Sequence, residues 1–551
     1  MSYNISYNQW LESDKLAALE KNVLKELSKA ETEDSFYRNL EFGTGGLRGV
    51  MGLGTNRMNI YTVRRATQGL ASEILDSGAD FVEKGVVIAH DSRNNSRIFA
   101  LEAANVLCAN GIKTYLFDDL RPTPELSFAV RYLNCARGIV ITASHNPREY
   151  NGYKVYGEDG GQIPPHTADR IIKYIDNTDI FDGVKLCENP EINIIGEEVD
   201  NEYIKAVKEQ SLGTKIPADF KVVYTPLHGS GNIPVRRILA ETGVKNVFVV
   251  PEQEKPDGNF STVKSPNPEN SEAFDIAIEY AKKQNADLVF GTDPDSDRIG
   301  VVVKTADGEY KILNGNQTGC LLLEYILRKE KEKGTLPKNG AVVKTIVTSE
   351  LVRRIADDYG IITLDVLTGF KFIGEKIKEF EKGNEYSFVF GLEESFGYLK
   401  GTYARDKDAV VAAMLICEVA ADYKQRGMTL YDGLMKIYEK YVFCDQKLET
   451  LTLKGIDGSE KIQKMMHKFR NEEMPFEVVR KIDYKDGLDG LPKSDVLKFI
   501  LPNGWFAVRP SGTETKIKFY FEVFSDTLKD AHDELSSLIK VILSTDSSIN
   551  N

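Results

Sequence analysis

Side chains whose type and spacing suit chemistry are concentrated in a few short segments of the 551-residue chain. The first is Asp293-Pro-Asp295-Ser-Asp297-Arg298, directly after the apolar run Leu288-Val289-Phe290. Carboxylates at i, i+2 and i+4 of an extended loop can converge on one hard cation. Unpaired at about 4 Å, they would repel by about 4 kcal/mol per pair at an effective dielectric of 20. A divalent ion removes that cost, and oxygen ligands favour Mg2+ or Ca2+ over zinc. An EF-hand loop is excluded: it needs Gly at its sixth position and Glu at its twelfth, where this chain has Arg298 and Lys304. Only three protein oxygens are evident, which leaves room for a substrate or phosphoryl oxygen, as at a catalytic Mg2+ site.

The second segment is Thr142-Ala-Ser144-His145-Asn-Pro147, after Ile139-Val140-Ile141. Gly-x-Ser-x-Gly is absent, so a hydrolase nucleophile elbow is not indicated. A serine hydroxyl can instead carry a phosphoryl group, whose three oxygens could complete the magnesium shell; Ser144 thus enters the candidate metal set with Asp293, Asp295 and Asp297. His145 taken alone reads as a structural histidine. Lys154, in Asn151-Gly-Tyr-Lys154, could move protons if neighbouring cations lower its pKa, although a lone lysine is ordinarily a solvated charge.

Three further loops offer ligand groups. Gly391-Leu-Glu393-Glu394-Ser395 presents acceptors suited to sugar hydroxyls, and Thr368-Gly369-Phe-Lys371 adds a cation for a phosphate or hydroxyl. Arg509-Pro-Ser511-Gly512-Thr513-Glu514 reads as an anion site, with a bidentate Arg and turn donors. The early Phe42-Gly-Thr-Gly-Gly-Leu-Arg48 segment matches neither a dinucleotide fingerprint nor a Walker A loop, so nucleotide binding has no support. Arg48 remains a possible phosphate partner.

The elements that must position these loops are legible as an alternation. Short apolar runs at 86–89, 139–141, 222–224, 247–250, 288–290, 342–343, 361–362 and 388–390 alternate with helical stretches, as in parallel sheets covered on both faces. Three of the runs end in the serine, aspartate and glutamate loops. Ligands of α/β folds bind beyond the carboxyl ends of strands, so three comparable units around one cleft are expected. Residues 9–40 read as a helical extension packed on the first unit, with Leu16, Leu19, Val23 and Leu27 as its apolar stripe. The expected units are an α/β domain over 1–205, a second over 206–315, a third over 316–445 and an α+β domain over 446–551.

Composition bounds the remainder. The net charge of −13 disfavours nucleic-acid binding, and 42% hydrophobic content excludes wholesale disorder. No apolar run approaches the roughly 20 residues that span a bilayer; the most apolar helix candidate, 409–421, is interrupted by Glu418. With no visible leader and six scattered cysteines, a reduced cytoplasmic protein is the simplest reading.

Taken in order, the four motifs at 142–147, 293–298, 393–395 and 509–514 resemble those of the α-D-phosphohexomutase family, which includes phosphoglucomutases, phosphomannomutases and related phosphopentomutases. The likeness runs from Gly43 to near the end of the chain. Gly43–Arg48 and Tyr150–Tyr156 look most like the longer phosphoglucomutase and phosphopentomutase branch. The resemblance implies three related α/β domains with mixed sheets and a C-terminal α+β domain, heart-shaped around a central cleft. It implies a phosphoserine at Ser144 and Mg2+ on Asp293, Asp295 and Asp297. Sugar recognition falls to Glu393 and Ser395, and the distal phosphate to Arg509, Ser511, Gly512 and Thr513. Arg48, Lys154 and Arg298 would surround the transferring group. Leu392 and Arg148 stand where many members have Gly and Lys.

The expected activity is interconversion of glucose 1-phosphate and glucose 6-phosphate, with a sugar bisphosphate such as glucose 1,6-bisphosphate as intermediate and activator. Lys154 is the first candidate proton shuttle and His145 the second. Pentose or mannose phosphates are the alternative substrates, a sugar-phosphate phosphatase the alternative class, and monomer and dimer stay open.

Overall fold

A computed structural model describes residues 3–43, 45–453, 456–511 and 516–544. The first sheet holds β1 (Gly46–Val50), β2 (Val86–His90), β3 (Thr114–Phe117), β4 (Arg137–Ile141), β5 (Tyr150–Gly157) and β6 (Ile192–Ile195), in the order β1-β5-β4-β2-β3-β6. The second holds β7 (Lys221–Thr225), β8 (Asn246–Val249), β9 (Leu288–Thr292), β10 (Ile299–Lys304) and β11 (Tyr310–Leu313), ordered β11-β10-β9-β7-β8. The third holds β12 (Gly340–Thr345), β13 (Ile362–Val366), β14 (Ser387–Glu393) and β15 (Gly397–Lys400), ordered β13-β12-β14-β15. The fourth, β16 (Phe443–Thr452), β17 (Arg480–Asp483), β18 (Leu497–Leu501), β19 (Gly504–Pro510) and β20 (Lys516–Ser525), is antiparallel throughout.

One unit recurs in the first three sheets. β4, β9 and β14 each pair in parallel with an earlier strand (β2, β7, β12) and antiparallel with the next (β5, β10, β15). The sheets are therefore mixed, and the reversal falls where the serine, aspartate and glutamate loops lie. Hydrogen-bonded on both edges and apolar on both faces, β4 and β9 are buried along their whole length, a firm base for a polar loop. In each loop a non-glycine residue takes the left-handed conformation: Ser144 (φ 51°), Ser296 (φ 52°) and Phe396 (φ 66°). Such backbone costs on the order of 1–3 kcal/mol and persists where its surroundings over-determine it.

The second and third units share one apolar core. Its centre is the helix Ala409–Gln425, buried at every residue from Ala409 to Tyr423. Of its two buried charges, Glu418 is satisfied by the Leu212 amide (2.9 Å) and the Tyr325 hydroxyl (3.0 Å), and Asp422 by the Arg328 guanidinium (2.8 Å). Among the described residues no helix is long and apolar enough to cross a membrane.

The N-terminal extension packs on the first unit, with Trp10, Leu16, Leu24 and Phe36 against Tyr61 and Ile180. Its expected stripe needs correction. Leu19 and Val23 are exposed at 75% and 46%, and Leu24 and Trp10 are buried instead. The extension is three short helices, Tyr3–Glu12, Ala18–Glu26 and Lys29–Phe36, rather than one. The second helix starts only after Ala17, whose amide Glu20 caps (3.0 Å), so Leu16 lies off the helix and no single helical period runs from it through Leu19 and Val23.

Candidate active site

The serine and aspartate loops meet. Ser144 Oγ donates to Asp293 Oδ2 at 2.8 Å and lies 3.1 Å from His145 Nδ1. Both residues are buried, although 149 positions separate them in sequence. The Ser144 amide donates to the Thr142 hydroxyl (2.8 Å), which donates to Asp91 (2.6 Å). Arg93 extends its guanidinium to the carbonyls of Ser144, Asn146, Pro147 and Tyr150. Neither Asp91 nor Arg93 is marked by the sequence, where Asp91-Ser-Arg93 reads as an ordinary solvated turn.

Asp293, Asp295 and Asp297 offer three ligand oxygens within 4.8 Å of one another, all buried. The Asp293 carboxylate accepts the amides of Asp297 (3.1 Å) and Arg298 (3.0 Å), which curls the loop. Burial, then the charges of Asp295 and Asp297, push its carboxyl well above the usual range. Asp295 Oδ2 takes the Lys154 ammonium and the Thr123 hydroxyl (2.8 and 2.9 Å). Asp295 Oδ1 and both Asp297 carboxylate oxygens are buried and receive no hydrogen bond among the described residues. Buried carboxylate oxygens this close together, with Asp295 Oδ1 and Asp297 Oδ1 accepting no hydrogen bond, fit a hard divalent cation.

A segment overlooked in the sequence backs this loop. The amide and hydroxyl of Ser230 both donate to the Pro294 carbonyl (2.8 and 2.9 Å). A Cβ on Gly229 would lie 2.5 Å from Pro294 Cα, so only glycine allows the approach.

The charges around the centre divide. Lys154 is placed by β5, opposite Gly46 of β1, and lies 3.6 Å from Asp297. Burial works against its charged form, but Asp295 and Asp297 outweigh it and raise the ammonium above its ordinary value. The proton-shuttling role of Lys154 is conditional on neighbouring cations lowering its pKa, and the nearest charges among the described residues are carboxylates, with Lys407 as the opposing cation. Lys407, unremarked in the sequence, sits 2.8 Å from Asp297. Arg298 pairs with Glu269, and Arg48 on β1 reaches Asn146 of the serine loop (3.4 Å). Burial, then the positive charges of Arg298 and Arg48, hold His145 well below its usual value, so the ring is neutral.

The third unit brings Glu393 and Gly369 together. The Gly369 amide donates to Glu393 Oε1 at 3.0 Å from a left-handed backbone (φ 118°) that favours glycine. Burial pushes the Glu393 carboxyl up to about 7, with Lys407 opposing. Glu394 is turned away and accepts the hydroxyls of Thr345 (2.8 Å) and Thr348 (3.2 Å). Ser395 and Thr368 are half-buried beside these groups. Lys371 stacks 5.0 Å from the Phe372 centroid, and burial lowers its ammonium. The Phe396 carbonyl accepts the Ile299 amide (3.1 Å), which ties this loop to the aspartate loop.

In the fourth unit Arg509 stands opposite Lys518 across β19 and β20. Burial lowers the Lys518 ammonium, with the charges of Glu269 and Glu394 opposing. The Ser511 amide donates to the Lys516 carbonyl (2.8 Å). Gly512 and Thr513 lie outside the described residues.

Comparisons with known proteins agree over most of the chain. Models of phosphoglucomutase/phosphomannomutase alpha/beta/alpha domains I, II and III match residues 39–180, 201–308 and 314–441, and the C-terminal domain model matches 450–534. A phosphoglucomutase of Staphylococcus saprophyticus is 38% identical over 540 residues, covering 93% of this chain and 96% of its own length. One from Staphylococcus epidermidis is 38% identical over 555 residues, covering 95% and 99%. The fold is that of the open form of pp63/parafusin, a phosphoglucomutase from Paramecium (TM-score 0.70, 19% identity, 92% of this chain and 95% of that one). A Burkholderia thailandensis phosphoglucomutase/phosphomannomutase family protein is similarly close (TM-score 0.69, 21% identity, 91% and 97%). With matches in order to all four domain models, the chain belongs to the phosphoglucomutase/phosphomannomutase family.

Proposed function

We propose that this enzyme is a phosphoglucomutase that interconverts glucose 1-phosphate and glucose 6-phosphate by way of a phosphoryl group on Ser144. The observation that carries the reading is the 2.8 Å hydrogen bond from the Ser144 hydroxyl into the three-aspartate cluster. The name of the Staphylococcus relatives favours glucose over mannose or pentose substrates.

Asp293, Asp295 and Asp297, with an oxygen on Ser144, would hold one Mg2+, which when bound offsets charge on the transferring oxygens. The bond from phosphorus to Ser144 Oγ breaks as one to a sugar hydroxyl forms, and the other phosphate of the resulting bisphosphate later returns to Ser144. Phosphoryl transfer asks mainly for positioning and charge. Arg298, Arg48 and Lys154 supply positive charge. His145, neutral and 3.1 Å from Oγ, is placed to take the Ser144 proton on the return step. Glu393 and Ser395, with Thr368, Gly369 and Lys371, line the sugar side. Arg509, Ser511, Gly512 and Thr513, joined by Lys518, take the distal phosphate. The four units are assigned to 1–205, 206–315, 316–445 and 446–551. The acceptor is a small sugar phosphate, and six free cysteines suit a reducing cytoplasm.

A coupled assay with glucose 1-phosphate, mannose 1-phosphate and ribose 1-phosphate, with and without glucose 1,6-bisphosphate, tests the reading. The glucose ester should turn over fastest and need the bisphosphate. Release of inorganic phosphate without isomerisation would make the enzyme a phosphatase.

A further inference from the structure

The serine loop has little regular structure to hold it. Its shape depends on Arg93, whose side chain is wholly buried and bridges four loop carbonyls. Asp91, 3.3 Å from Arg93 Nε, is the nearest counter-charge, and it also takes the Thr142 hydroxyl. The open face of the guanidinium is covered from the second unit. There Phe260, 1% exposed, lies 4.9 Å beneath the Arg93 guanidinium carbon.

Phe260 belongs to an irregular segment, 255–269, that crosses from the second unit to the first. Phe260 itself is left-handed (φ 47°). It is held there by Asp257, whose carboxylate accepts the amides of Asn259 (2.9 Å) and Ser261 (3.0 Å) and whose carbonyl accepts that of Phe260 (3.0 Å). The segment is rooted on His228, which reaches the Lys255 carbonyl (3.0 Å) and the Thr262 hydroxyl (2.8 Å). Its far side meets the serine loop once, the neighbouring residue of Arg93 once and the aspartate loop once. Asn94 donates to Asn259 (2.9 Å), the Ser265 hydroxyl donates to the His145 carbonyl (2.9 Å), and Glu269 pairs with Arg298.

We propose that segment 255–269 is a strap that holds the serine loop in its working shape and seals its rear against water, with Phe260 and Arg93 as positioning residues. The inference rests on Ser144 carrying the phosphoryl group. With the strap in place, the phosphoserine reacts with a sugar hydroxyl. With the aromatic removed, water reaches the phosphorus: a P–O bond to water forms, the P–Oγ bond breaks, and inorganic phosphate and the free hydroxyl result.

The test compares wild type with Phe260→Ala and the milder Phe260→Leu. Enzyme charged with glucose 1,6-bisphosphate is followed by intact mass for loss of about 80 Da, the mass of one phosphoryl group. Phe260→Ala should lose it at least about fivefold faster and show a kcat about tenfold lower with KM little changed, as misplacement of a reacting group predicts. Phe260→Leu, which keeps apolar bulk, should recover most of the lifetime. Hydrogen exchange of amides 143–150 without substrate should quicken in Phe260→Ala and not elsewhere in the first unit. If Phe260→Ala fails to fold, the same two readouts are taken on Phe260→Leu and on Ser265→Ala, with smaller changes in the same direction expected. Unchanged lifetime and unchanged exchange in a folded variant would overturn the strap. If wild type never gains the adduct, the phosphoserine reading falls, while the exchange measurement still decides whether Phe260 orders the loop.

Discussion

At the scale of single residues, the site is a balance of buried charge. The three aspartates bring three negative charges into an apolar setting, and Lys154, Lys407 and Arg298 answer them from different strands and loops. Asp297 accepts no hydrogen bond among the described residues and is answered only by the charges of Lys407 (2.8 Å), Lys154 (3.6 Å) and Arg298 (3.9 Å), so a bound cation would draw on it directly. Asp297→Asn should therefore raise the Mg2+ concentration for half-maximal activity by about tenfold or more, as loss of a charged ligand does; titration of activity and of Mn2+ binding checks it. Glu393 gives the pH dependence. Its carboxyl is raised to about 7, so below that pH it is protonated and loses acceptor strength towards a sugar hydroxyl. The rate should climb as pH rises through about 7, and Glu393→Gln should lower the plateau and flatten that limb. An identical limb in Glu393→Gln would assign it to another group.

These residues were unequally legible. The Ser, Asp, Glu and Arg motifs stand out because several chemically related side chains fall within six residues. Arg93, Lys407, Lys518 and Glu269 are single charges in ordinary surroundings, and only the folded chain shows that they are buried or face one centre. The sign of the Lys154 shift was unreadable for the same reason: its partners lie 141 positions away.

At the scale of elements, strand runs and the buried helix 409–425 follow from local apolar patterns. Pairing direction does not, since an apolar run looks alike beside a parallel or an antiparallel neighbour; the apolar runs alone read as parallel, and the mixed sheets are expected only through the family resemblance. The N-terminal stripe failed because the second helix begins at Ala18, after Leu16, which resets the helical phase. The N-cap of the central helix carries a prediction. Buried Asp408 accepts the amides of Val410 (2.7 Å) and Val411 (3.2 Å) and the hydroxyls of Tyr203 (2.9 Å) and Tyr403. Asp408→Ala removes a cap and leaves two buried hydroxyls unpaired, a loss of about 2–4 kcal/mol. A thermal midpoint several degrees lower, with Asp408→Asn recovering part of it, is the expected outcome of a melting experiment.

At the scale of the whole molecule, the fourth unit is joined to the third by buried polar groups. Lys498 on β18 donates to the Ile346 carbonyl (2.7 Å) and pairs with Glu350 (2.9 Å). Glu522 on β20 accepts the Glu350 amide (2.8 Å) and the Trp505 indole (2.6 Å). This junction sets Arg509 and Lys518 towards the centre, so the fourth unit acts through binding rather than through the transfer itself. Arg509→Ala should accordingly raise KM for glucose 1-phosphate by about tenfold, the worth of a charged hydrogen bond, and lower kcat less. An unchanged KM would remove Arg509 from the phosphate site.

The most direct measurement combines intact mass and peptide mapping of enzyme incubated with glucose 1,6-bisphosphate, set beside turnover of the Ser144→Ala variant. The account predicts a single adduct of about 80 Da on Ser144, and a folded Ser144→Ala protein with neither adduct nor isomerisation. An adduct on another residue, or full activity in Ser144→Ala, would contradict it.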